Sequence, residues 1–287
     1  MAIKSILVPI DGSERSWEAL ATALVVARRF NAHIETIYVS ESAIQSATFV
    51  NVSRSLKDTV LAEEKKSLQE KADGIRAEVE SFAKRRNLVF TDSPEDEARI
   101  TISFSHEFGD VADVLIRCSR YHDTVAISRP SKPGKGVRRA RIGSVMEAML
   151  MESGKPVLMV PPGWKARKAR HAVIAWNDSL EASRALSMTL PWLEQMAKVT
   201  IVVAKMRREG GEHVKEYLAK HGVKADIEIL NRRSQSAGAR LLKVCEKLDG
   251  DFLVMGGFSQ SRIRQRIFGG VTDHIMGNSE IITVMVH

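Results

Sequence analysis

Short apolar runs alternate with longer amphipathic stretches along most of this chain. In its second half, the apolar runs predict five strands, near residues 172–176, 199–204, 225–230, 251–255 and 282–286. The amphipathic stretches predict helices between them, near residues 179–195, 211–221, 236–248 and 267–277. Strands that are apolar throughout and alternate with helices are typical of a parallel sheet covered on both faces. The pattern therefore predicts a doubly wound α/β unit with a ligand site at the carboxyl ends of the strands, where their order reverses.

The same pattern occurs twice, which indicates two copies of one unit. Residues 6–14 read ILVPIDGSE and residues 173–181 read VIAWNDSLE, so that Ser13 matches Ser179. Near the ends of the copies, residues 143–145 match 269–271 and residues 156–160 match 282–286. We therefore expect two tandem, five-stranded, Rossmann-like parallel-sheet domains. The domains are placed at 1–162 and 170–287, because Pro161, Pro162 and Gly163 end a strand before a basic linker.

The first copy is longer by about 40 residues, which fall between its second and third predicted strands, in residues 40–97. Within them Leu61, Leu68, Ile75 and Phe82 recur every seventh residue among many Glu and Lys, a spacing that predicts a long amphipathic helix. Such a helix either packs on its own domain with a solvated charged face or serves as a lid or a dimer contact.

Composition narrows the class of protein. Of the 287 residues 44% are hydrophobic and 27% charged, which favours a globular fold, and the net charge of +8 favours anionic partners. Two cysteines are too few for a disulfide scaffold or a four-cysteine zinc site, and no other metal motif occurs. No signal-peptide layout or membrane-length apolar run is present, so we expect a cytoplasmic protein that does not contact membranes. The basic stretches lack interleaved aromatic residues, which disfavours nucleic-acid binding.

The loop after the fourth strand of the second copy is the strongest candidate for binding chemistry. Glycines let backbone N–H groups approach a phosphate, helix starts attract anions, and arginines neutralise them. The same features also suit a glycine turn followed by a solvated basic segment. The candidate residues in this loop are Gly256, Ser259, Arg262, Gly269 and Gly270.

The first copy offers weaker candidates. Its corresponding loop, 128–143, is basic and contains no acidic residue, and Gly143 and Ser144 stand at the start of the next helix. Asp11 follows the first strand of the first copy, and Asn177 and Asp178 follow that of the second. These side chains could bond a base or ribose or hold a magnesium ion on a phosphate, or they could simply cap the helices that follow.

The sequence resembles the universal stress protein family in its tandem two-domain form. The resemblance rests on residues 6–13, on their repeat at 174–179 and on the loop 256–272. Nucleotide-binding members show the pattern Gly-x2-Gly-x9-Gly-Ser/Thr in that loop. Here the spacing is kept as Gly256-x2-Ser259-x9-Gly269-Gly270, with serine for the second glycine and glycine for the hydroxyl residue.

The resemblance implies an adenine-nucleotide site that each copy keeps in part. The family's aspartate after the first strand is Asp11 in the first copy and Asn177 in the second, and its adenine-lining position falls near Val39 and Val203. The second copy has the better phosphate loop, so ATP or a similar nucleotide is expected there, with or without magnesium. The family's pairing of last strands implies that 156–160 and 282–286 meet in an intramolecular pseudo-dimer, and a homodimer remains open.

Two functions follow from the resemblance. The first is a stress-response protein that binds an adenine nucleotide as a regulator, with at most slow ATP hydrolysis, since no catalytic base is evident. The alternative is an adaptor that has lost nucleotide binding, which the altered glycine pattern favours. An ATP pyrophosphatase is disfavoured, because the loop after the first strand lacks the Ser-Gly-Gly-x-Asp-Ser pattern of those enzymes.

Overall fold

The computed structural model describes residues 3–41, 54–92, 100–129, 142–231, 235–258 and 270–287. Its strands form one 11-stranded sheet in the order β3-β4-β2-β1-β5-β6-β11-β10-β7-β8-β9. All neighbouring strands are parallel except β6 and β11. The predicted α/β fold with a mostly parallel sheet is thus confirmed, and the strands of the two copies join in one continuous sheet.

The first half of the sheet has six strands where five were expected. The additional strand is β3, a two-residue strand at the outer edge, which pairs with β4. In chain order the elements are β1 Ser5–Pro9, α1 Glu14–Phe30, β2 His33–Ser40, α2 Arg54–Arg86, β3 Val89–Phe90, β4 Thr101–Phe108, α3 Val111–Ser119, β5 Thr124–Ser128, α4 Ile142–Glu152 and β6 Val157–Val160.

The second half has the five strands that the sequence predicts, within a few residues of the expected positions. Its elements are β7 His171–Trp176, α5 Leu180–Leu193, β8 Lys198–Ala204, a 3-10 turn Lys205–Arg207, α6 Arg208–Lys220, β9 Asp226–Leu230, α7 Ala237–Lys247, β10 Phe252–Gly256, α8 Val271–Asn278 and β11 Ile282–Val286.

The two halves meet along β6 and β11. These strands pair antiparallel, with Leu158 opposite Val284, and both residues are fully buried. Pairing satisfies backbone groups that each strand would otherwise expose at a sheet edge. The contact continues between helices, where the ring of Phe30 meets that of Trp192 edge-to-face at 6.3 Å. The halves therefore share one core as well as one sheet.

Helices cover both faces of the sheet. One hydrophobic cluster runs the length of the molecule and packs α1, α2, α5 and α6 on one face. On the other face, one cluster lies under α3 and α4 and another under α4, α7 and α8. This arrangement leaves the carboxyl ends of β1 and β7 between two helical layers, where a ligand site was expected.

The predicted helical insertion is an enlargement of an element that both halves possess. Residues 41–100 join β2 to β4 and include the 33-residue α2, whereas residues 205–225 join β8 to β9 and include the 13-residue α6. On α2 the predicted heptad positions Ile75 and Phe82 are buried, together with Val79. The helix therefore packs on its own half, as one of the two alternatives anticipated.

Candidate functional site

The crevice of the second half opens where β7 lies between β8 and β10. In register, Trp176 lies opposite Val203 and Ala175 lies opposite Met255, so these three strands end at nearly the same level. Helix α5 leaves β7 on one face of the sheet, and α8 begins near β10 on the other. This is the reversal point at which a doubly wound sheet holds its ligand.

Asn177 and Asp11 lie just before the helices that follow the first strand of each half. Asn177 Oδ1 accepts the backbone N–H of Ser179 at 3.2 Å, and Asp11 Oδ1 accepts that of Ser13 at 2.9 Å. The next serine caps the helix in each case, because Ser13 accepts from the N–H of Ser16 and Ser179 from that of Ala182. The N-caps are therefore Ser13 and Ser179, and Asp11 and Asn177 each bond the backbone of the capping serine.

The carboxyl group of Asp11 is held in its charged form. Partial burial alone would raise its pKa, but hydrogen bonds from the hydroxyl and backbone N–H of Ser13 and from Ser16 outweigh burial and lower the pKa below its ordinary value of 3.8. A persistent anion on the first-half crevice disfavours phosphate at that point. It can accept hydrogen bonds from a sugar or a base.

Asp178 is directed to a different part of the molecule than the sequence suggested. Its backbone is left-handed, with φ at 57°, and its carboxylate accepts the indole N–H of Trp176 at 2.7 Å. It also pairs with the guanidinium of Arg207 at 3.2 Å. A Cβ atom at Gly210, in α6, would collide with this carboxylate. The side chain of Asp178 therefore lies on the face of the sheet covered by α5 and α6, opposite to the face on which α8 begins.

Val203 does not hold the position that matches Val39. Val39 packs with the cluster beneath α3 and α4, whereas Val203 lies beneath α6, close to Gly211. The strand register makes Ala204 the counterpart of Val39. Pro9 pairs with Ile37, and Ala175, which matches Pro9 in the repeat, pairs with Val202. Val39 and Ala204 each lie two residues beyond these partners. A shift of one residue along a strand moves a side chain to the other face of the sheet. The residue equivalent to Val39 in the second half is therefore Ala204, one position beyond Val203.

Gly256 is required by packing. A Cβ atom there would stand 2.6 Å from the backbone N of Ala182 and 2.8 Å from Cβ of Glu181, in the first turn of α5. Real Cβ atoms do not approach other atoms so closely, so only glycine lets β10 pass α5 at this distance. This packing demand explains Gly256 without reference to a phosphate.

The backbone that follows Gly256 is already hydrogen-bonded. Gly257 donates its N–H to the carbonyl of Val286 at 2.8 Å, and Phe258 donates to Oγ1 of Thr272 at 3.0 Å. These bonds fix the base of the loop against β11 and α8. The N–H groups of Gly257 and Phe258 are thus committed to the protein itself.

Gly270 is the N-cap of α8 and makes no side-chain capping bond. The first N–H groups of a helix lack partners within the helix, and an uncapped start attracts anions. Ser259, Arg262 and Gly269 lie outside the described residues. In the first half, Gly143 and Ser144 belong to the first turn of α4, and their side chains lie outside the described part of the structure.

Arg129, from the basic segment of the first half, joins the two halves. Its guanidinium donates to the carbonyl of Gly277 at 2.7 Å, at the carboxyl end of α8. Burial lowers the pKa of this group, and Glu280 nearby offsets part of that effect. The charge composition of this segment gave no signal for this contact, because the contact depends on the junction between β6 and β11.

A second polar cluster lies on β2, away from the crevices. Glu35 accepts a hydrogen bond from His122 at 3.1 Å and another from Ser105 at 2.8 Å. The bond from His122 is the largest reason that the pKa of Glu35 lies below its ordinary value, against the opposing effect of burial. Glu35 is the third residue of its strand, far from the carboxyl ends, so this pair is a structural feature.

The described ranges contain neither a metal-binding cluster nor a membrane-spanning helix. Within them, no three side chains of His, Cys, Asp or Glu stand close enough to hold a metal ion. No helix in the same ranges is long and apolar enough to cross a membrane.

Comparison with known proteins assigns the family. A model of the universal stress protein family matches residues 2–161, which is more than half of the chain. The chain therefore belongs to the universal stress protein family. A comparison with curated proteins finds no match.

Solved structures support the fold over the whole chain. A universal stress protein from Archaeoglobus fulgidus is 16% identical with a TM-score of 0.68, over 98% of this chain and 97% of that one. A putative universal stress protein from Pseudomonas aeruginosa is 15% identical with a TM-score of 0.56, over 99% and 93%. A functionally unknown protein from Pseudomonas aeruginosa PAO1 is 15% identical with a TM-score of 0.55, over 99% and 92%. At these identities the likeness concerns the fold alone.

Proposed function

We infer that this universal stress protein is a stress-response factor that binds an adenine nucleotide, ATP or a close relative, in the crevice of its second half. The observation that carries this proposal is the start of α8 at Gly270, which lacks a side-chain cap at the reversal point of the sheet. Phosphate oxygens there would accept hydrogen bonds from the first N–H groups of the helix and meet the positive end of the helix dipole.

The charge of the adjoining loop supports the same site. The sequence places Arg262, Arg264 and Arg266 directly before Gly269 and Gly270. Arginine pairs with phosphate in a bidentate manner and needs no change of protonation to do so. Three such cations that precede a helix start in the sequence favour a ligand with several negative charges, such as a nucleoside polyphosphate with or without magnesium.

The base side of the crevice differs between the halves. Asn177 stands where the first half has Asp11, and an amide can both donate and accept hydrogen bonds whereas a carboxylate only accepts. Ala204 stands where the first half has Val39, and its smaller side chain leaves more room beside the strand end. Both differences favour a neutral heterocycle such as adenine in the second half.

The protein acts as a binder or regulator with at most slow hydrolysis. Asp178 follows Asn177 at this crevice, and both its oxygens are engaged, one by Trp176 and one by Arg207. A general base must reach the proton that it removes, either directly or through one water. A carboxylate held on the opposite face of the sheet does not meet that requirement.

The two halves act together as a pseudo-dimer in the cytoplasm. The pairing of β6 with β11 supports this, because it uses within one chain the strand edges through which two copies could otherwise pair. Association of whole chains into a homodimer would then use another surface.

Native mass spectrometry of the purified protein, with and without added ATP and magnesium, tests nucleotide binding. We expect a mass shift of one nucleotide per chain, which disappears in Gly270→Glu because a carboxylate at the N-cap repels the phosphates. Ser144→Glu is the matched control in the first half, because residues 143–145 match 269–271, and it should bind as the unaltered protein does. Hydrolysis rates at buffer background in a turnover assay would agree with a binder.

An adaptor without nucleotide is the second candidate function. The hydrogen bonds of Gly257 to Val286 and of Phe258 to Thr272 favour it, because they commit the loop's first N–H groups to the protein itself. If neither ATP nor ADP nor AMP shifts the mass of the protein in the presence of magnesium, the adaptor becomes the better account.

A further inference from the structure

A groove lies between α5 and α6 of the second half, on the face of the sheet opposite to α8. Its volume is about 320 Å³, near the lower end of the roughly 300–1,000 Å³ typical of small-molecule sites. Aromatic, aliphatic and charged groups line it together. The main lining residues are Trp176, Asp178, Ser183, Leu186, Gly210 and Tyr217.

The first half fills the corresponding space with its own side chain. Trp17 donates its backbone N–H to the carbonyl of the capping Ser13, and Ser183 does the same to Ser179, so both are the fourth residue of their helix. The indole of Trp17 packs on the ring of Phe82 in α2, with centroids 6.3 Å apart. The second half has Ser183 in place of that indole.

The helices that face these positions, α2 in the first half and α6 in the second, support the match between Trp17 and Ser183. Ile75 of α2 lies against Gly12, and Gly210 of α6 lies against Asp178, which occupies the place of Gly12. Seven residues further along these helices stand Phe82 and Tyr217 respectively. An aromatic ring therefore faces the same space in both halves, but only the first half supplies the indole that packs on it.

We propose that the groove between α5 and α6 is a second binding site, which takes a neutral or cationic aromatic molecule of about the size of indole. Its ring would occupy the space that the indole of Trp17 fills in the first half, against Tyr217 and Leu186. A hydrogen-bond donor on the molecule would face Asp178 and the hydroxyl of Ser183. Anionic ligands are disfavoured by the carboxylate, which separates this site from the phosphate-binding crevice.

The chemistry of Asp178 sets the preference among ligands. Each carboxylate oxygen has two lone pairs, so Asp178 can accept a further hydrogen bond while it keeps those from Trp176 and Arg207. The pair with Arg207 is partly exposed and offsets part of the negative charge. We therefore expect an amine to bind more tightly than the bare ring by a factor of up to about five, the scale of an exposed ion pair.

Three probes that share one ring test the site: tryptamine, indole and indole-3-propionate. Titration of the unaltered protein, followed by two-dimensional NMR, should show saturable shifts of the side-chain N–H of Trp176, with dissociation constants on the order of 1 mM or below for tryptamine and indole. Indole-3-propionate should bind at least about fivefold more weakly than tryptamine. ATP should leave this signal unchanged and should not compete with the probes.

Ser183→Trp is the decisive variant, because it restores the residue of the first half and fills the groove. We expect it to fold with unchanged circular dichroism and to lose at least about tenfold of the affinity for tryptamine. Ser187→Phe, at an exposed position beside the groove, is a second blocking variant that does not depend on core packing. Asp178→Asn should remove the preference for tryptamine over indole while it leaves indole binding intact.

Two outcomes overturn the proposal. One is the absence of saturable shifts with both tryptamine and indole at millimolar concentration. The other is tryptamine binding that persists in folded Ser183→Trp and Ser187→Phe, which would place the probe elsewhere. Loss of ATP binding in Gly270→Glu with retention of tryptamine binding would show that the two sites are independent, so failure of either can be recognised separately.

Discussion

Trp17 of α1 and Ser183 of α5 hold the same position in two equivalent helices, each bonded through its N–H to the serine that caps its helix. The first half packs an indole at this point against Phe82, and the second half leaves a groove of about 320 Å³. The two copies share a fold but differ in how completely side chains fill the space between these helices. This difference gives the chain a matched pair of positions at which packing can be measured.

The first prediction exchanges the residues at these positions. Trp17→Ser should destabilise the protein by roughly 2–4 kcal/mol, because it removes a large aromatic contact and leaves a cavity. Ser183→Trp should change the free energy of unfolding by less than about 1 kcal/mol or stabilise the protein, since its groove has room for the ring. Urea unfolding followed by circular dichroism measures both, and equal losses for the two variants would show that the halves are not equivalent here.

The second prediction concerns Gly256. Gly256→Ala should destabilise the protein by about 1–3 kcal/mol, because the added methyl group would stand 2.6 Å from the backbone of α5. The ATP affinity of the folded variant should change little, because the glycine serves packing. Gly277→Ala is the control, because its Cβ would meet no atom within 4 Å, and it should be neutral or slightly stabilising. Thermal unfolding with and without ATP separates the effects, and a loss of ATP affinity without a loss of stability would contradict this explanation.

The third prediction tests the contact of Arg129 with Gly277 between the halves. Arg129→Ala should lower the free energy of unfolding by about 1–2 kcal/mol, because it removes a charge-assisted hydrogen bond in a half-buried setting. Arg117→Ala removes an exposed ion pair with Glu107 within the first half and should cost less than about 1 kcal/mol. Chemical unfolding of both variants provides the comparison. Equal costs would mean that the junction does not depend on Arg129.

The fourth prediction concerns pH. His171 is buried, and burial lowers the pKa of its imidazole below the ordinary 6.5, while its ring nitrogens bond the carbonyl of Leu248 and the hydroxyl of Thr200. The folded state therefore favours the neutral ring, and the unfolded chain binds more protons between the folded pKa and 6.5. Stability from this group is complete above pH 6.5 and declines as pH falls, by at most about 1.4 kcal/mol per pH unit.

Measurements of unfolding between pH 5 and 8 test this pH dependence. His33 contributes in the same direction, because burial also lowers its pKa, and Glu35 contributes at lower pH as its carboxylate takes up a proton. His171→Gln keeps hydrogen-bonding capacity but cannot titrate, so its stability should vary less over this range. An unchanged slope in the variant would remove His171 from the explanation.

Much of the fold could be predicted from the sequence, because the internal repeat and the apolar runs can be read directly from the order of the residues. The five strands of the second half were predicted within a few residues, and the pairing of 156–160 with 282–286 follows from the resemblance to the family. The strand β3 was missed because two residues at a sheet edge carry no periodic signal. The domain limits at 162 and 170 stay a prediction.

The candidate site was harder to predict from the sequence, because packing in the folded protein decides the direction of each side chain. Ile201, Val202 and Val203 are all buried, so their pattern could not show which of them faces α6 and which faces α7, and the match with Val39 was one residue out of step. A sequence also cannot show that Asp178 adopts a left-handed backbone and turns to Trp176. Gly256 fitted a phosphate motif, although the close approach of α5 already leaves no room for a Cβ atom there.

Isothermal titration calorimetry with ATP and magnesium tests the central proposal most directly. For the unaltered protein and for Ser144→Glu, we predict saturable binding of one nucleotide per chain, and for Gly270→Glu we predict loss of that binding with the fold retained. The account is contradicted if the unaltered protein binds no nucleotide, or if Ser144→Glu abolishes binding while Gly270→Glu leaves it intact.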